Sequence, residues 1–205
     1  MTFISLKKNT FWGNLTLKNI ETETGPIILA RINKVTEYVY ASELLDKLVK
    51  QTGKFSGQDF FKEVSRLLAE TFEVKSVLIA SIHEENRDYS NTLVFWTEDH
   101  YSENFSFRLS NSPNSNVIKG ITTLYPSNLN DLFPEYSVFN VMQAQSYFGC
   151  PIFKANGQVM GIIALLDDKP MVEKTNARHI LSVIASRAGA EMEKIKAEEK
   201  TSGND

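Results

Sequence analysis

Two groups of ionisable side chains in the sequence have the residue types that metal binding or acid–base chemistry requires. His83–Glu85 brings together one imidazole and two carboxylates, which are donor types of a zinc site. The residues around this group are polar and separate two apolar runs, so a solvated turn is the favoured interpretation. Asp167 and Asp168 form a carboxylate pair of the kind used in acid–base catalysis or cation binding. The pair ends an apolar run shortly before a proline, which favours turn chemistry instead.

The single cysteine is Cys150, which cannot form a disulfide within the chain or a cysteine-based zinc site. It lies inside an apolar run between Gly149 and Pro151, whereas a catalytic thiol needs exposure and a neighbouring base. The sequence also lacks the HExxH, GxSxG, P-loop, GxGxxG and EF-hand signatures. We therefore predict that the chain is not an enzyme and has no catalytic residues and no metal site.

The composition limits the function classes further. The 205 residues carry a net charge of -3, with 42% hydrophobic and 23% charged residues, as in a globular protein. This charge balance argues against a broad basic face for nucleic acid. No apolar run reaches the roughly 18 residues that cross a bilayer, and the polar start is unlike a signal peptide. We therefore expect a cytoplasmic chain with no membrane span and no nucleic-acid partner.

The elements that must position any site begin with an N-terminal arm, residues 1–33. Its alternating and β-branched stretches indicate two short strands around a Thr22–Gly25 turn, but a disordered arm explains the composition equally well. Residues 34–52 then repeat apolar side chains every three or four positions, which predicts a helix. The narrow apolar stripe of this helix can pack on its own domain or pair with a helix of a second chain.

A single domain is predicted over residues 53–191. Ser56 can cap its first helix, whose apolar residues run from Phe60 to Phe72. Strands are predicted at Val74–Ile82, Thr92–Thr97, Asn104–Leu109, Ser146–Phe153 and Val159–Leu166. The last two strands form a hairpin closed by Asn156-Gly157, the strongest short-range hairpin signal.

A long helix from Thr175 to Lys200 follows the hairpin. Its charged end belongs to a C-terminal extension and tail, residues 192–205, that projects beyond the domain. Strands joined by hairpins imply an antiparallel sheet with helices on its face. The predicted fold class is therefore α+β.

Several motifs in the second half of the chain resemble a known family. They are Ser146–Phe153, Asn156–Gly161, Ala164–Pro170 and Ala185–Glu191, preceded by Leu124–Pro126 and Leu132–Pro134. Together they resemble the GAF domains that are fused to bacterial sensor histidine kinases and nucleotide cyclases. The resemblance extends over residues 53–191. It implies a GAF-like antiparallel β-sheet flanked by helices, with the N- and C-terminal helices packed together as a dimer bundle.

Two positions depart from the pattern of that subfamily. Asn114 follows Pro113 where those domains often have cysteine, and Ile162 follows Gly161 where they often have histidine. The departures argue against a chemistry that rests on this cysteine or histidine. Gly149 and Gly161 lie in neighbouring predicted strands, where a missing side chain lets a backbone, helix or ligand approach closely.

The resemblance implies that a small molecule binds between the sheet and a cover formed by Ser110–Ser146. Aromatic side chains would stack on its ring, namely Trp96, Tyr125 and Phe148. Polar and phosphate contacts would come from Arg108, Asn114, Ser115 and Asn116. A helix that begins near Pro113 would present backbone N–H groups to a phosphate. The resemblance favours a cyclic nucleotide, cAMP or cGMP, with flavin, haem, small organic acids and ions as alternatives.

The resemblance also implies a route for the signal. The Tyr38–Val49 and Thr175–Lys200 helices would form a homodimer bundle that shifts register when ligand closes the cover, controlling a fused output domain. Arg187 and Glu191, one turn apart on the last helix, can pair with each other or anchor the helix to the sheet. The alternative is a ligand-free dimerisation module, in which the same helices pair and Phe and Leu side chains fill the sheet pocket.

Overall fold

The structure is a computed structural model that describes residues 2–4, 10–22, 25–34, 46, 50–136, 142–174 and 176–202. The chain divides into two compact units, Met1–Asp46 and Lys47–Asp205. The helix predicted over 34–52, with its Tyr38–Val49 stretch, falls for the most part outside the described residues. Within that range, Asp46 and residues 50–52 are helical.

The first unit contains an antiparallel three-stranded sheet. Its strands are β1 (Thr2–Ile4), β2 (Thr10–Thr22) and β3 (Gly25–Lys34). The central strand is β2, and the long β2–β3 hairpin closes where the Thr22 hydroxyl donates to the Gly25 carbonyl oxygen at 2.6 Å. The described part of the arm is therefore strand, and its turn lies where the sequence places one.

A larger antiparallel sheet forms the centre of the second unit. Its strands are β4 (Ser76–Ile82), β5 (Tyr89–Thr97), β6 (His100–Ser102), β7 (Ser106–Arg108), β8 (Thr123–Tyr125), β9 (Ser146–Phe153) and β10 (Val159–Asp167). In the described residues the order is β6-β5-β4-β10-β9-β8, with β7 also paired to β5. The β9–β10 hairpin turns at Asn156-Gly157, where the Asn156 side chain accepts from the Gln158 N–H at 3.0 Å.

Helices lie on both sides of this sheet. They are α1 (Gly57–Phe72), α2 (Asn114–Val117), α3 (Leu129–Leu132) and α4 (Ala177–Ser202). This arrangement of an antiparallel sheet between helices confirms the predicted α+β class. In the part of the chain that the structure describes, no helix is both long and apolar enough to cross a membrane.

The two long helices, α1 and α4, share one face of the sheet and contact each other there. Both are amphipathic, because their apolar side chains recur every three or four residues. The buried side chains of this layer include Phe60, Phe61, Leu68, Ile180, Leu181 and Ile184 of the helices, over Val77, Ile79, Ile163 and Leu165 of the strands. Beyond Met192 the side chains of α4 are exposed or half-buried, so the end of the helix leaves the domain core.

Side chains of α4 hold the start of α1 in place. The guanidinium of Arg187 donates to the carbonyl oxygens of Thr52 and Phe55 at 2.9 and 3.1 Å. Glu191 accepts from the Gly57 N–H at 3.1 Å, whereas the hydroxyl of the N-cap residue Ser56 makes no capping hydrogen bond. These contacts join α4 to the segment before α1 and to the first residue of α1, whereas from the sequence the two side chains were expected to pair with each other or to anchor α4 to the sheet.

Gly161 allows α4 to approach β10 closely. A Cβ at this position would meet the Ala80 carbonyl oxygen at 2.6 Å and the end of the Met192 side chain at 3.0 Å. Since both distances are shorter than ordinary contacts, a side chain here would push the strands or the helix apart. Of the close neighbours that the sequence allowed for, a backbone, helix or ligand, the nearest is therefore the backbone of the neighbouring strand β4.

The other face of the sheet is covered by the segment from Ser110 to Ser146, of which residues 110–136 and 142–146 are described. We refer to this segment as the cover. It contains α2, β8 and α3. A second apolar core lies beneath it, formed by Leu78, Ala80, Ile82, Phe95, Phe107, Leu109, Val117, Leu129, Tyr136, Ala144, Tyr147, Val159, Ile162, Ala164 and Leu166.

Candidate functional site

Trp96 lies on the helix side of the sheet. Its neighbour Phe95 belongs to the core beneath the cover, and successive side chains of a strand point to opposite faces. The Trp96 ring packs edge-on against Tyr101, with 4.7 Å between ring centroids, and the Tyr101 hydroxyl donates to the Lys62 carbonyl oxygen of α1. Trp96 is therefore not available to stack on a molecule beneath the cover.

Phe148 also faces the helices. It lies directly opposite Leu165 in the β9–β10 pairing. The next pair along these strands, Tyr147 and Leu166, belongs to the core beneath the cover, so Phe148 points to the other face. The guanidinium carbon of Arg178 on α4 lies 5.7 Å from the Phe148 ring centroid. The strand alternation thus places two of the three predicted stacking residues, Trp96 and Phe148, on the opposite side of the sheet from Asn114.

Arg108 points away from the cover core because its neighbour Phe107 points into it. Its side chain is exposed and donates to the Asp88 carboxylate at 2.7 Å. This hydrogen bond is the main reason why the pKa of Asp88 lies below its usual value. Asp88 also accepts from the backbone N–H and hydroxyl of Ser110. Arg108 therefore stabilises a surface turn and does not point into the space beneath the cover.

Asn114 does lie beneath the cover, at the start of α2, and it is only 3% exposed. Its side-chain oxygen accepts from the Tyr147 hydroxyl at 2.7 Å. Its side-chain nitrogen donates to the Ser112 hydroxyl oxygen at 3.2 Å, and Ser112 donates to the Leu109 carbonyl oxygen at 2.6 Å. Tyr136 hydrogen-bonds to Asn114 as well. We call these four side chains (Ser112, Asn114, Tyr136 and Tyr147) the Asn114 network.

Burial dominates the electrostatics of the two tyrosines in the Asn114 network. It raises the pKa of the Tyr136 phenol, and the hydrogen bond with Asn114 opposes part of that rise. It also raises the pKa of Tyr147 well above the usual value. Both phenols are therefore neutral at physiological pH and act as neutral hydrogen-bonding groups.

The remaining predicted residues lie beside the Asn114 network. The Asn116 side chain donates to the Tyr125 hydroxyl at 3.2 Å, and the Ser115 hydroxyl donates to the Leu109 carbonyl oxygen at 3.2 Å. The Tyr125 ring packs against Phe133 and Tyr147, at centroid distances of 5.1 and 6.2 Å. The structure thus brings Asn114, Ser115, Asn116 and Tyr125 together.

Sequence reasoning missed three members of the Asn114 network: Ser112, Tyr136 and Tyr147. The sequence does contain a signal for Tyr147, because this residue lies two positions before Gly149 and therefore on the same face of the strand. A Cβ at Gly149 would overlap the Tyr147 ring and hydroxyl. A large side chain next to a glycine on one strand face indicates that the side chain lies along the strand.

Among the other polar groups noted in the sequence, Glu84 and the two aspartates have local partners, whereas Nε2 of His83 is buried without a hydrogen-bond partner in the described residues. Glu84 pairs with Lys154 and Lys196 at 3.5 and 2.9 Å. Asp168 pairs with Lys75 at 3.3 Å, and Asp167 accepts from the Lys75 N–H at the same distance. In the described residues, no three His, Cys, Asp or Glu side chains are placed to hold a metal ion.

Cavities are found on the helix side of the sheet and at the edge of the core beneath the cover, beside Phe95 and Met142. One of about 370 Å³ lies on the helix side and is lined by Cys150, Thr122 and α4 residues such as Ser186. Burial raises the pKa of the Cys150 thiol. A shallower cavity of about 320 Å³ lies at the end of β5, between Lys75 and Gln143. Beneath the described part of the cover, side chains such as Tyr147 and Ile162 are buried.

Comparisons with known proteins identify the fold of the second unit. A family model described as GAF domain matches residues 56–192. No curated protein matches the sequence. The GAF domain of an Acinetobacter phosphoenolpyruvate-protein phosphotransferase superposes with a TM-score of 0.62 at 14% identity, covering 77% of this chain and 96% of that chain.

Two further structures share this fold. The nlh2 GAF domain of A. aeolicus, in an inactive state, has a TM-score of 0.59 at 17% identity and covers 77% of this chain and 98% of that one. The far-red absorbing dark state of JSC1_58120g3 with bound biliverdin has a TM-score of 0.61 at 10% identity, covering 75% and 99%. At such identities, the similarity shows a shared fold.

Proposed function

The chain belongs to the GAF domain family, and from this membership we propose that it is a small-molecule-sensing regulatory module of a bacterial signal-transduction protein. GAF domains are a regulatory fold that binds small molecules. The proposed ligand lies beneath the cover. The proposed setting is the cytoplasm, in a homodimer that controls a fused output domain.

The Asn114 network is the observation that carries the proposal. Polar side chains in an apolar core add little net stability, because each loses its hydrogen bonds to water on burial. A core meant only for stability is better filled with aliphatic side chains. Here the polar groups of Ser112, Asn114, Tyr136 and Tyr147 converge among aromatic rings, which is the usual make-up of a small-molecule site.

The Tyr147 ring occupies the space beneath the cover, so a ligand displaces it and moves the cover. Strand β9 carries Tyr147 and contacts α4, and Arg187 joins α4 to Thr52. This chain of contacts supports a signal that leaves through the Tyr38–Val49 and Thr175–Lys200 helices.

A second candidate function is a ligand-free dimerisation module. The buried aromatic and aliphatic side chains beneath the described part of the cover favour it. So do the apolar side chains on one face of the β2–β3 hairpin, where Leu17 is 61% and Ile28 is 72% exposed. Exposed apolar surface of this kind is typical of protein–protein contacts.

Thermal unfolding of the full chain with a ligand panel separates the two functions. The panel contains cAMP and cGMP, which the family resemblance favours, and the unphosphorylated heterocycles adenosine, guanosine and riboflavin. A ligand at 100 times its Kd adds about 2.7 kcal/mol to the free energy of unfolding, which corresponds to a Tm rise of roughly 5 to 11 °C for a chain of this size. We expect a rise with at least one compound.

Two variants locate the site. Asn114→Leu removes the central hydrogen-bonding groups at similar volume, and we expect it to abolish the Tm rise. Arg108→Ala changes a side chain that points away from the cover, and we expect it to keep the rise. No rise with any compound, together with a concentration-dependent dimer in analytical ultracentrifugation, would favour the dimerisation module.

A further inference from the structure

The core beneath the cover is uncharged. In the described residues, no Asp, Glu, Lys or Arg side chain is buried, and the buried polar side chains are Ser, Thr and Asn. Of the nearby cations, Arg108 is paired with Asp88, and the exposed Arg87 donates to the carbonyl oxygen of Val159 at the edge of this core at 2.8 Å. A phosphate that entered this core would lose its hydration without gaining an ion pair, which is strongly unfavourable.

Helix α2 does not supply the missing positive charge. It has one turn, and the backbone N–H groups at its start are already used. The Asn114 N–H donates to the Ser112 hydroxyl oxygen at 3.1 Å, and the Ser115 N–H donates to the Ser112 carbonyl oxygen at 3.0 Å. Arg108 and these two N–H groups, which were expected to contact a phosphate, therefore already have other partners.

The core does offer aromatic faces and neutral hydrogen-bonding groups. Its aromatic rings form two groups in contact, Phe95, Phe105 and Phe107 in one and Tyr125, Phe133 and Tyr147 in the other. The side-chain amide of Asn114 supplies both a donor and an acceptor, which together can hydrogen-bond to the edge of a nitrogen heterocycle.

We propose that the site beneath the cover takes a neutral, planar, hydrogen-bonding heterocycle and discriminates against its phosphorylated form. This inference rests on the proposed sensing function and names the ligand class of the same site. The phenol of Tyr147 is itself a neutral aromatic ring with one hydroxyl, and this hydroxyl donates to the Asn114 side-chain oxygen within the site. A ligand of similar chemistry replaces the Tyr147 hydroxyl as the partner of Asn114.

The test uses the full chain and three matched pairs of compounds: adenosine and cAMP, guanosine and cGMP, riboflavin and FMN. Each pair shares a ring system and differs in the phosphate. Kd values are measured by isothermal titration calorimetry, and for the flavins also by fluorescence. We expect at least one neutral compound to bind at least about tenfold more tightly than its phosphorylated partner, because the core has no counter-charge.

A conservative variant tests the competition at Asn114. Tyr147→Phe keeps the ring and removes the hydroxyl that bonds to the Asn114 oxygen. A ligand that competes for this oxygen binds Tyr147→Phe more tightly, by about three- to tenfold, the factor for one neutral hydrogen bond. A residue with a structural role alone would leave the affinity unchanged or weaken it. Tyr89→Phe, at an exposed tyrosine, is the matched control and leaves every Kd unchanged.

The outcomes are distinguishable. Tighter binding of a phosphorylated compound than of its neutral partner would overturn the neutral-ligand inference and leave the sensing function standing. Binding by none of the six compounds, with all variants folded by circular dichroism, would overturn both. A neutral ligand whose affinity is unchanged in Tyr147→Phe and in Asn114→Leu would place the site elsewhere and overturn the inference.

Discussion

The phenol ring of Tyr147 lies along its strand over Gly149, in the space that a side chain at position 149 would fill. This placement brings the Tyr147 hydroxyl to within 2.7 Å of the Asn114 side-chain oxygen on the other side of the core. Since β9 and the start of α2 are far apart in sequence, this hydrogen bond ties the cover to the sheet. The Asn114 network therefore depends on the absence of a side chain at position 149.

Gly149→Ala should lower the free energy of unfolding by about 1 to 3 kcal/mol, the range for overpacked cores. The added methyl group overlaps the Tyr147 ring, which then has to turn away and lose Asn114. Urea denaturation measures the change. In a Tyr147→Ala background the same substitution should have a much smaller effect, because the clashing ring is absent. An equal loss in both backgrounds would contradict this account of Gly149.

The stability of the fold should fall at alkaline pH because of the buried tyrosines. Burial raises the pKa of Tyr136 and Tyr147 in the folded chain, whereas unfolded tyrosine titrates near about 10. A raised folded pKa gives stability that is fully present below the unfolded pKa and is lost as the pH rises above it. Above roughly pH 10, the wild type should therefore lose stability faster than a Tyr136→Phe/Tyr147→Phe double variant.

Urea denaturation between about pH 8 and 11 checks this prediction. Both proteins should carry Cys150→Ala, since burial raises the pKa of that thiol too and would add its own pH dependence. Tyr101, whose pKa is also raised by burial, is common to both proteins and cancels in the comparison. Parallel pH profiles would show that the two core phenols ionise as easily in the folded chain as in the unfolded one.

Much of the fold could be predicted from local patterns. Ser146–Phe153 was predicted with its observed bounds, because the apolar run and the Asn156-Gly157 turn are both local signals. The helix from Thr175 begins two residues later and ends two residues later than predicted. Strand β6 was missed, because His100–Ser102 is short and carries no apolar alternation.

The site was harder to predict than the fold. Aromatic residues were chosen by type, but a single step along a strand moves a side chain to the other face. Trp96 and Phe148 therefore lie against the helices, while their neighbours Phe95 and Tyr147 lie beneath the cover. Arg108 was chosen for its charge, and its partner Asp88 is set by the β5–β7 pairing, which the sequence does not reveal.

Cys150 should react slowly with alkylating reagents in the folded protein. It is 2% exposed, and burial raises its thiol pKa, so little of the reactive thiolate is present. With iodoacetamide at neutral pH, we expect alkylation to be on the order of a hundredfold slower than in urea, as for a group that reacts only through opening. Mass spectrometry follows the reaction over time.

An exposed cysteine serves as the control for reagent quality. Ser186→Cys in a Cys150→Ala background places a thiol on an exposed position of α4, where folding should change the rate little. Fast alkylation of native Cys150 would contradict the buried, protonated thiol and would reopen the question of thiol chemistry in this chain.

Arg187→Lys should weaken the attachment of α4 to the segment before α1. The guanidinium donates to Thr52 Oγ1 and to two carbonyl oxygens, and its carbon lies 4.6 Å from the Phe60 ring centroid. One ammonium group cannot replace this planar fork. We expect a loss of about 1.5 to 3 kcal/mol in the free energy of unfolding, the range for hydrogen bonds to charged groups.

Arg66→Lys is the matched control for Arg187→Lys. Arg66 pairs with Glu63 and Glu70 along one side of α1, and such surface pairs contribute about 1 kcal/mol or less. Hydrogen exchange should also become faster at residues 50–56 in Arg187→Lys alone, because those amides lose their anchor on α4. Equal stability losses in the two variants, with unchanged exchange at 50–56, would show that Arg187 does not couple α4 to this segment, the link through which we propose the signal passes.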